Sequence, residues 1–227
     1  MAALSFRLHR LAYGAIALAR KAALGLTLLL PLPAMADPVT IAALGDSLTQ
    51  GYGLPQEEGF VPQLEAWLRA RGHDVTLINA GVSGDTTAGG LSRAAWTLTD
   101  EVDGLIVALG GNDLLRGIDP AASRANLHGI LEAAQAADVE VLLVGMQAPG
   151  NYGPDYKAAF DAIHPELAAE FGALLAPSFF EGLEGAAEPA AATPYLQPDG
   201  LHPSAEGVSR IVDALGPRVE TLLDRIH

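Results

Sequence analysis

The 227-residue sequence has no cysteine. Disulfides, thiolate metal sites and a lipid on an N-terminal cysteine are therefore excluded. It also lacks Gly-x-Gly-x-x-Gly and a Walker loop, which weakens any nucleotide-binding reading. The histidines and acids are scattered, without His-Glu-x-x-His or similar ligand spacing, so no metal site is expected. Basic residues are scarce, 13 against 27 acids, for a net charge of −14. Four of those 13 (Arg7, Arg10, Arg20 and Lys21) fall within residues 1–36, where there is no acid at all.

That segment continues with an apolar run from Ala22 to Leu30, then Pro31-Leu32-Pro33 and Ala34-Met35-Ala36. A basic start, a short apolar stretch and small residues at the A-x-A positions predict a secretory signal peptide over 1–36, cleaved between Ala36 and Asp37. A retained anchor is the competing reading. The uninterrupted run is short of the roughly 20 residues a spanning helix needs, and Arg20-Lys21 cut it off from Leu11–Ala19. The expected product is a periplasmic or secreted domain, 37–227, without a stable membrane anchor. It keeps nine basic and 27 acidic residues, a net charge of −18. Such a surface repels phosphates and argues against a nucleic-acid partner.

Along this domain there is no internal repeat and no long linker. Apolar runs predict strands at Val39–Leu44, Val75–Asn79, Gly104–Leu109, Glu140–Val144 and, shorter, near Ala173–Ala176. Between them, helices are predicted over Phe60–Arg71, Thr86–Leu98, Asp119 to about Ala137, and Tyr156–Phe171. A last helix, capped by Ser204, runs to about Arg225. Glu188–Pro198, rich in Ala and Pro, is predicted to be a loop. Strands alternating with helices predict an α/β fold with a parallel sheet covered on both faces. Its ligand belongs at the carboxyl ends of the strands, where the strand order reverses.

Three polar segments follow strands directly: Gly45-Asp46-Ser47-Leu48-Thr49, Asn79 to Thr86, and Gly110-Gly111-Asn112-Asp113. A fourth, Asp199-Gly200-Leu201-His202-Pro203, precedes the last helix. A serine hydroxyl is a weak nucleophile that needs an adjacent base, and a histidine oriented by a carboxylate supplies one. Ser47, His202 and Asp199 are those three parts, with Gly200 permitting a tight turn. Charge growing on a carbonyl oxygen also needs donors aimed at it. The candidates are the backbone N–H groups of Ser47 and Gly84 and the side-chain amide of Asn112. Thr49 stands two residues after Ser47, so the Gly-x-Ser-x-Gly elbow of α/β-hydrolases is absent.

With these blocks the sequence resembles the GDSL family in its SGNH branch: Ser47, Gly84, Asn112 and His202 match the four residues for which the branch is named. Gly110-Gly111-Asn112-Asp113, and Asn151-Tyr152-Gly153 followed by Tyr156, resemble its bacterial periplasmic thioesterase, lysophospholipase and arylesterase subgroup. The resemblance implies a three-layer α/β/α flavodoxin-like fold with a mainly parallel five-stranded sheet. It further implies hydrolysis of acyl esters and thioesters, with no cofactor.

Other groups have plainer readings. Asp161-Ala162-Ile163-His164-Pro165 repeats the Asp-x-x-His-Pro spelling inside a helix, where it predicts a surface pair. His73, at a helix end, is expected to be solvated; His128 and His227 look incidental. Asp46 and Asp113 are expected to brace their own loops through nearby backbone, and Ser83 and Asp85 to shape the loop around Gly84. An acyl chain needs an apolar trough, for which Leu114, Met146, Pro149, Tyr152 and Tyr156 are candidates. A carbohydrate O-acetyl esterase and a non-catalytic SGNH binding domain are the alternatives. The expected partner is a small acyl ester or lysophospholipid, and the protein is expected to be a monomer.

Overall fold

The structure, a computed structural model, describes residues 38–183 and 193–226. The predicted signal peptide lies outside the described residues, as do 188–192 of the predicted loop.

Five parallel strands form one sheet: β1 (Val39–Gly45), β2 (Val75–Gly81), β3 (Gly104–Ala108), β4 (Glu140–Val144) and β5 (Leu174–Ala176). Their order is β2-β1-β3-β4-β5. Central β3 is buried throughout, whereas the end of edge strand β2 is partly open. That difference explains the continuous apolar run at one and the mixed run at the other. β2 continues two residues past its predicted end because the ladder with β1 persists to Gly45↔Gly81. The chain leaves β1 for β2 on one side and then crosses to β3 on the other. The strand order therefore reverses between β1 and β3, and a crevice opens there at their carboxyl ends.

Helices cover both faces. On one lie α2 (Phe60–Arg69) and α8 (Ala205–Ile226), packed on each other. Gly216 of α8 admits the Trp67 ring, since a Cβ there would come within 2.6 Å of it. Trp67 Nε1 donates to Asp213 Oδ1 at 2.9 Å. On the other face lie α3 (Thr87–Thr97), α5 (Pro120–Ala136) and α7 (Ile163–Phe171). Ser204 caps α8 as expected, its Oγ accepting from Gly207 N–H at 3.2 Å.

Other elements also differ from expectation. Gly111–Arg116 forms a short helix, α4, that six residues are too few to announce by periodicity. The predicted helix Tyr156–Phe171 is two, α6 (Pro154–Asp161) and α7, broken at Ala162. Pro165 explains the break: it has no N–H for the Asp161 carbonyl, and its ring crowds that oxygen. Within the predicted loop, Thr193–Tyr195 makes a 3-10 turn and Leu196 bridges Pro203.

Candidate active site

β1 ends at Gly45, where a Cβ would collide with Thr49 Oγ1. Glycine thus lets the chain double back into α1 (Ser47–Gln50). Asp46 is the N-cap, its Oδ1 accepting from Leu48 N–H at 3.0 Å and its carbonyl from Gln50 N–H at 2.9 Å. Such a cap contributes about 1 kcal/mol. It also leaves the first N–H of the helix, that of Ser47, without an intrahelical partner. Asp46 is buried. Burial pushes its carboxyl up, against the lowering effect of hydrogen bonds from Leu48 N–H and the Asn112 amide, the latter at 3.2 Å.

The loop before α8 brings in the candidate base. It is closed by the Leu196–Pro203 bridge and by Gln197 N–H donating to His202 O at 2.7 Å. At its tip Gly200 is left-handed, φ +69°. That turn wraps Leu201 N–H and His202 N–H onto Asp199 Oδ1 at 2.9 and 3.0 Å, while Oδ2 meets His202 Nδ1 at 2.6 Å. The His202 ring and the two N–H donors hold the Asp199 carboxyl down to about 2, from an ordinary 3.8. On the far side of the ring, His202 Nε2 lies 2.8 Å from Ser47 Oγ, across 155 positions of sequence. The three predicted residues thus form one continuous hydrogen-bonded chain.

Gly84 and Asn112 line the same crevice as Ser47. Gly84 has φ +84°, a conformation costly for any side chain, and its carbonyl accepts from Arg116 Nη2 at 2.8 Å. The Asn112 amide projects from the first turn of α4 and is steadied by Asp46. Ser83 Oγ donates to Gln50 Oε1 at 2.9 Å and so ties the Gly84 loop to α1.

The crevice widens into a cleft of about 540 Å³. Of the five expected wall residues, Leu114, Met146, Pro149 and Tyr152 line it. Tyr156 does not: its ring lies 4.9 Å behind that of Tyr152 and its hydroxyl donates to Ile118 O at 2.9 Å, so it braces the wall instead. Leu115, Phe180 and Leu201 add apolar wall that the sequence did not single out. Two further neighbours of the base were also missed. The Tyr52 ring sits 4.7 Å from that of His202, and Gln197 Nε2 donates to Tyr52 O at 2.8 Å and Pro203 O at 3.0 Å. Only three-dimensional proximity joins Tyr52 to residues 145 positions away, so no local pattern announces them.

Three further expectations are corrected. Asp113 does not brace its own loop. It is buried and ties α4 to α3 and α5, accepting from Thr87 N–H at 2.9 Å, Thr87 Oγ1 at 2.6 Å and Ser123 Oγ at 2.8 Å. Asp161 and His164 are not a surface pair, because the break at Ala162 sends them apart. Asp161 accepts from Ala148 N–H and Lys157 Nζ, both at 2.7 Å, whereas His164 is buried beneath Gly110 with Nε2 3.4 Å from Leu109 O. Burial pushes its imidazole down, toward the neutral form. His73 is not simply solvated either, lying 3.0 Å from Glu220. His128 stands between Glu132 and Glu170. Because its polar contacts are so few, His164→Leu is expected to keep kcat within about threefold and to change stability by roughly 1–2 kcal/mol. Ester-hydrolysis kinetics and denaturant unfolding check this.

With this geometry in place, comparison with known proteins gives a consistent result. Residues 43–210 match the GDSL-like Lipase/Acylhydrolase family. The chain is 38% identical to Esterase TesA of Pseudomonas aeruginosa, over 81% of this chain and 89% of that protein. It is 35% identical to Thioesterase 1/protease 1/lysophospholipase L1 of Escherichia coli, over 82% and 85%. The crystal structure of psychrotrophic esterase EstA from Pseudoalteromonas sp., inhibited by monoethylphosphonate, superposes with a TM-score of 0.74 at 33% identity, over 82% of this chain and 98% of that one. The chain belongs to the GDSL/SGNH hydrolase family.

Proposed function

We propose that the protein is a serine esterase that cleaves carboxylic esters and thioesters through an acyl-enzyme on Ser47. The observation that carries this reading is the unbroken chain Ser47 Oγ–His202–Asp199, at 2.8 and 2.6 Å, at the carboxyl edge between β1 and β3. Ser47 Oγ attacks the acyl carbon as His202 Nε2 takes its proton. Asp199 keeps the other ring proton on Nδ1 and stabilises the imidazolium. The oxygen of the tetrahedral intermediate takes hydrogen bonds from Ser47 N–H, Gly84 N–H and Asn112 Nδ2, each such donor being worth about 3 kcal/mol in the transition state. As the C–O or C–S bond breaks, Nε2 returns the proton to the leaving group. Water, activated by the same ring, then releases the acid.

The names of the relatives (esterase, thioesterase, lysophospholipase) agree with this chemistry. The cleft favours an acyl chain longer than acetyl, since Leu114, Met146, Tyr152 and Phe180 offer far more apolar wall than a methyl group needs. That preference separates this reading from a carbohydrate O-acetyl esterase. All of the groups come from one chain, so a monomer suffices. We further propose that residues 1–36 direct export and are removed after Ala36, which places the enzyme in the periplasm or outside the cell. There it meets esters and lysophospholipids rather than acyl-CoA, whose phosphates its −18 charge repels.

Hydrolysis of p-nitrophenyl esters from acetate to palmitate tests the function. Turnover with kcat/KM rising beyond acetate is expected; no turnover on any ester would overturn the esterase reading in favour of a binding domain, and a preference for acetate would support the acetyl esterase. With palmitoyl-CoA, kcat/KM is expected to rise several-fold from about 10 mM to 500 mM salt, as charge is screened, while uncharged esters show no such rise. Equal efficiency on both at low salt would remove the charge argument.

A further inference from the structure

We propose that Arg93 is the positioning residue of the oxyanion hole, a single guanidinium that locks the loop carrying Gly84 to the strand end carrying Ser47. This rests on the role proposed above for Ser47 and Gly84. Arg93 lies on α3 with its side chain largely buried. Its three nitrogens reach three different segments. Nε donates to Asp85 Oδ2 at 2.7 Å, Nη1 to Ala80 O, and Nη2 to Gly45 O at 2.8 Å. Gly45 is two residues before Ser47, Ala80 is next to the last residue of β2, and Asp85 follows Gly84. The ladder between β1 and β2 stops at Gly45↔Gly81; Arg93 grips its last residues through Gly45 O and Ala80 O and reaches past its end to Asp85.

The surroundings are built around this fork. Gly45 O also accepts from Val82 N–H at 3.1 Å, so both of its lone pairs are engaged. Gly89 leaves room for Asp85 over the first turn of α3, since a Cβ there would lie 2.4 Å from Asp85 Oδ1. From the other side, Arg116 fixes the Gly84 carbonyl. Gly84, at φ +84°, thus stands between two cations, Arg116 on its carbonyl and Arg93 on the side chain of the residue that follows it. An oxyanion hole works through donors already aimed before charge develops, so its supports act on the transition state rather than on substrate binding. Arg93 is not among the residues lining the cleft, and its loss should leave binding of the acyl chain intact. Lysine, with one point charge, cannot serve three diverging acceptors as a planar fork does.

The test compares wild type, Arg93→Lys, Arg93→Gln, Asp85→Asn and the double variant Arg93→Gln/Asp85→Asn. Their kcat and KM on p-nitrophenyl butyrate, inactivation rate with an alkyl phosphonate and Tm are measured, with Ser47→Ala alongside. Loosening the loop by a fraction of an ångström is expected to lower kcat by about 10- to 100-fold in Arg93→Gln, with KM within about twofold. Inactivation slows in parallel, because the phosphonyl oxygen uses the same donors. Arg93→Lys falls short of rescue. Asp85→Asn gives a smaller loss in the same direction, and the double variant is no worse than Arg93→Gln alone, as expected of groups in one network. A folded Arg93→Gln with wild-type kcat, or one whose only change is a lower Tm, overturns the proposal. If Arg93→Gln does not fold, Asp85→Asn decides on the same two rates. Failure of the underlying reading looks different: the wild type is then inactive, or Ser47→Ala retains its activity, and both proposals fall together.

Discussion

Ser47→Ala is expected to lower kcat on p-nitrophenyl esters by at least about four orders of magnitude while leaving the fold intact. In the proposed mechanism the hydroxyl is the atom that bonds to the acyl carbon, and it is the one His202 Nε2 meets, at 2.8 Å. Thr49, two residues on, is buried beneath Gly45, and the Ser83 hydroxyl is engaged with Gln50. Removing one oxygen from the first residue of α1 leaves the cap intact, because the Asp46 bond goes to Leu48 N–H. Stability should therefore change by no more than about 1 kcal/mol. Mass spectrometry after phosphonate treatment adds an independent readout: one adduct on the wild type and none on Ser47→Ala. An adduct or substantial turnover in the variant would remove Ser47 from the mechanism.

Asp199→Asn is expected to be nearly as damaging, about three to four orders of magnitude in kcat, through a wrong tautomer rather than lost contact. Two backbone donors, Leu201 N–H and His202 N–H, both point at Oδ1. An amide in that place turns its oxygen toward them and its NH2 toward His202 Nδ1. Nδ1 must then accept, its proton moves to Nε2, and the ring donates to Ser47 instead of taking its proton. The pH dependence of stability follows from the same contacts. Folding lowers the Asp199 pKa from 3.8 to about 2. Its contribution is therefore present above pH 3.8 and is lost as pH falls through about 2. The stability difference between wild type and Asp199→Asn should be level at higher pH and shrink across that window. Chemical denaturation at a series of acidic pH values measures it, and a difference that grew on acidification would contradict the ionised pairing.

The sequence carried much of this, and where it fell short there are physical causes. The strands were legible because a parallel sheet covered on both faces demands continuous apolar runs, as in Gly104–Ala108. The four polar blocks could be placed at one edge because each follows a strand or precedes the last helix. Local pattern failed wherever a residue's meaning depends on a distant partner. Asp113 reads as a turn residue, yet its partners are Thr87 and Ser123. His164 reads as half of a surface pair because periodicity does not register what Pro165 does to the helix. Tyr156 was assigned to the right wall but one layer too far forward. Arg93 carries no motif at all, since its acceptors lie 8, 13 and 48 positions away. The packing of Tyr52 on His202 is of the same kind.

The separation of Ser47 from His202 also orders events during synthesis. The proposed nucleophile leaves the ribosome early and its proposed base 155 residues later, so a growing chain holds a serine with ordinary alcohol reactivity through most of elongation. Under the proposed assignment, hydrolytic power arrives only with the loop that docks against α8, one of the last parts of the domain to be made. Under the proposed export, a precursor kept unfolded would thus cross the cell without attacking the esters it passes. Labelling by a phosphonate would count only molecules whose two chain ends have met, making the site a gauge of completed folding.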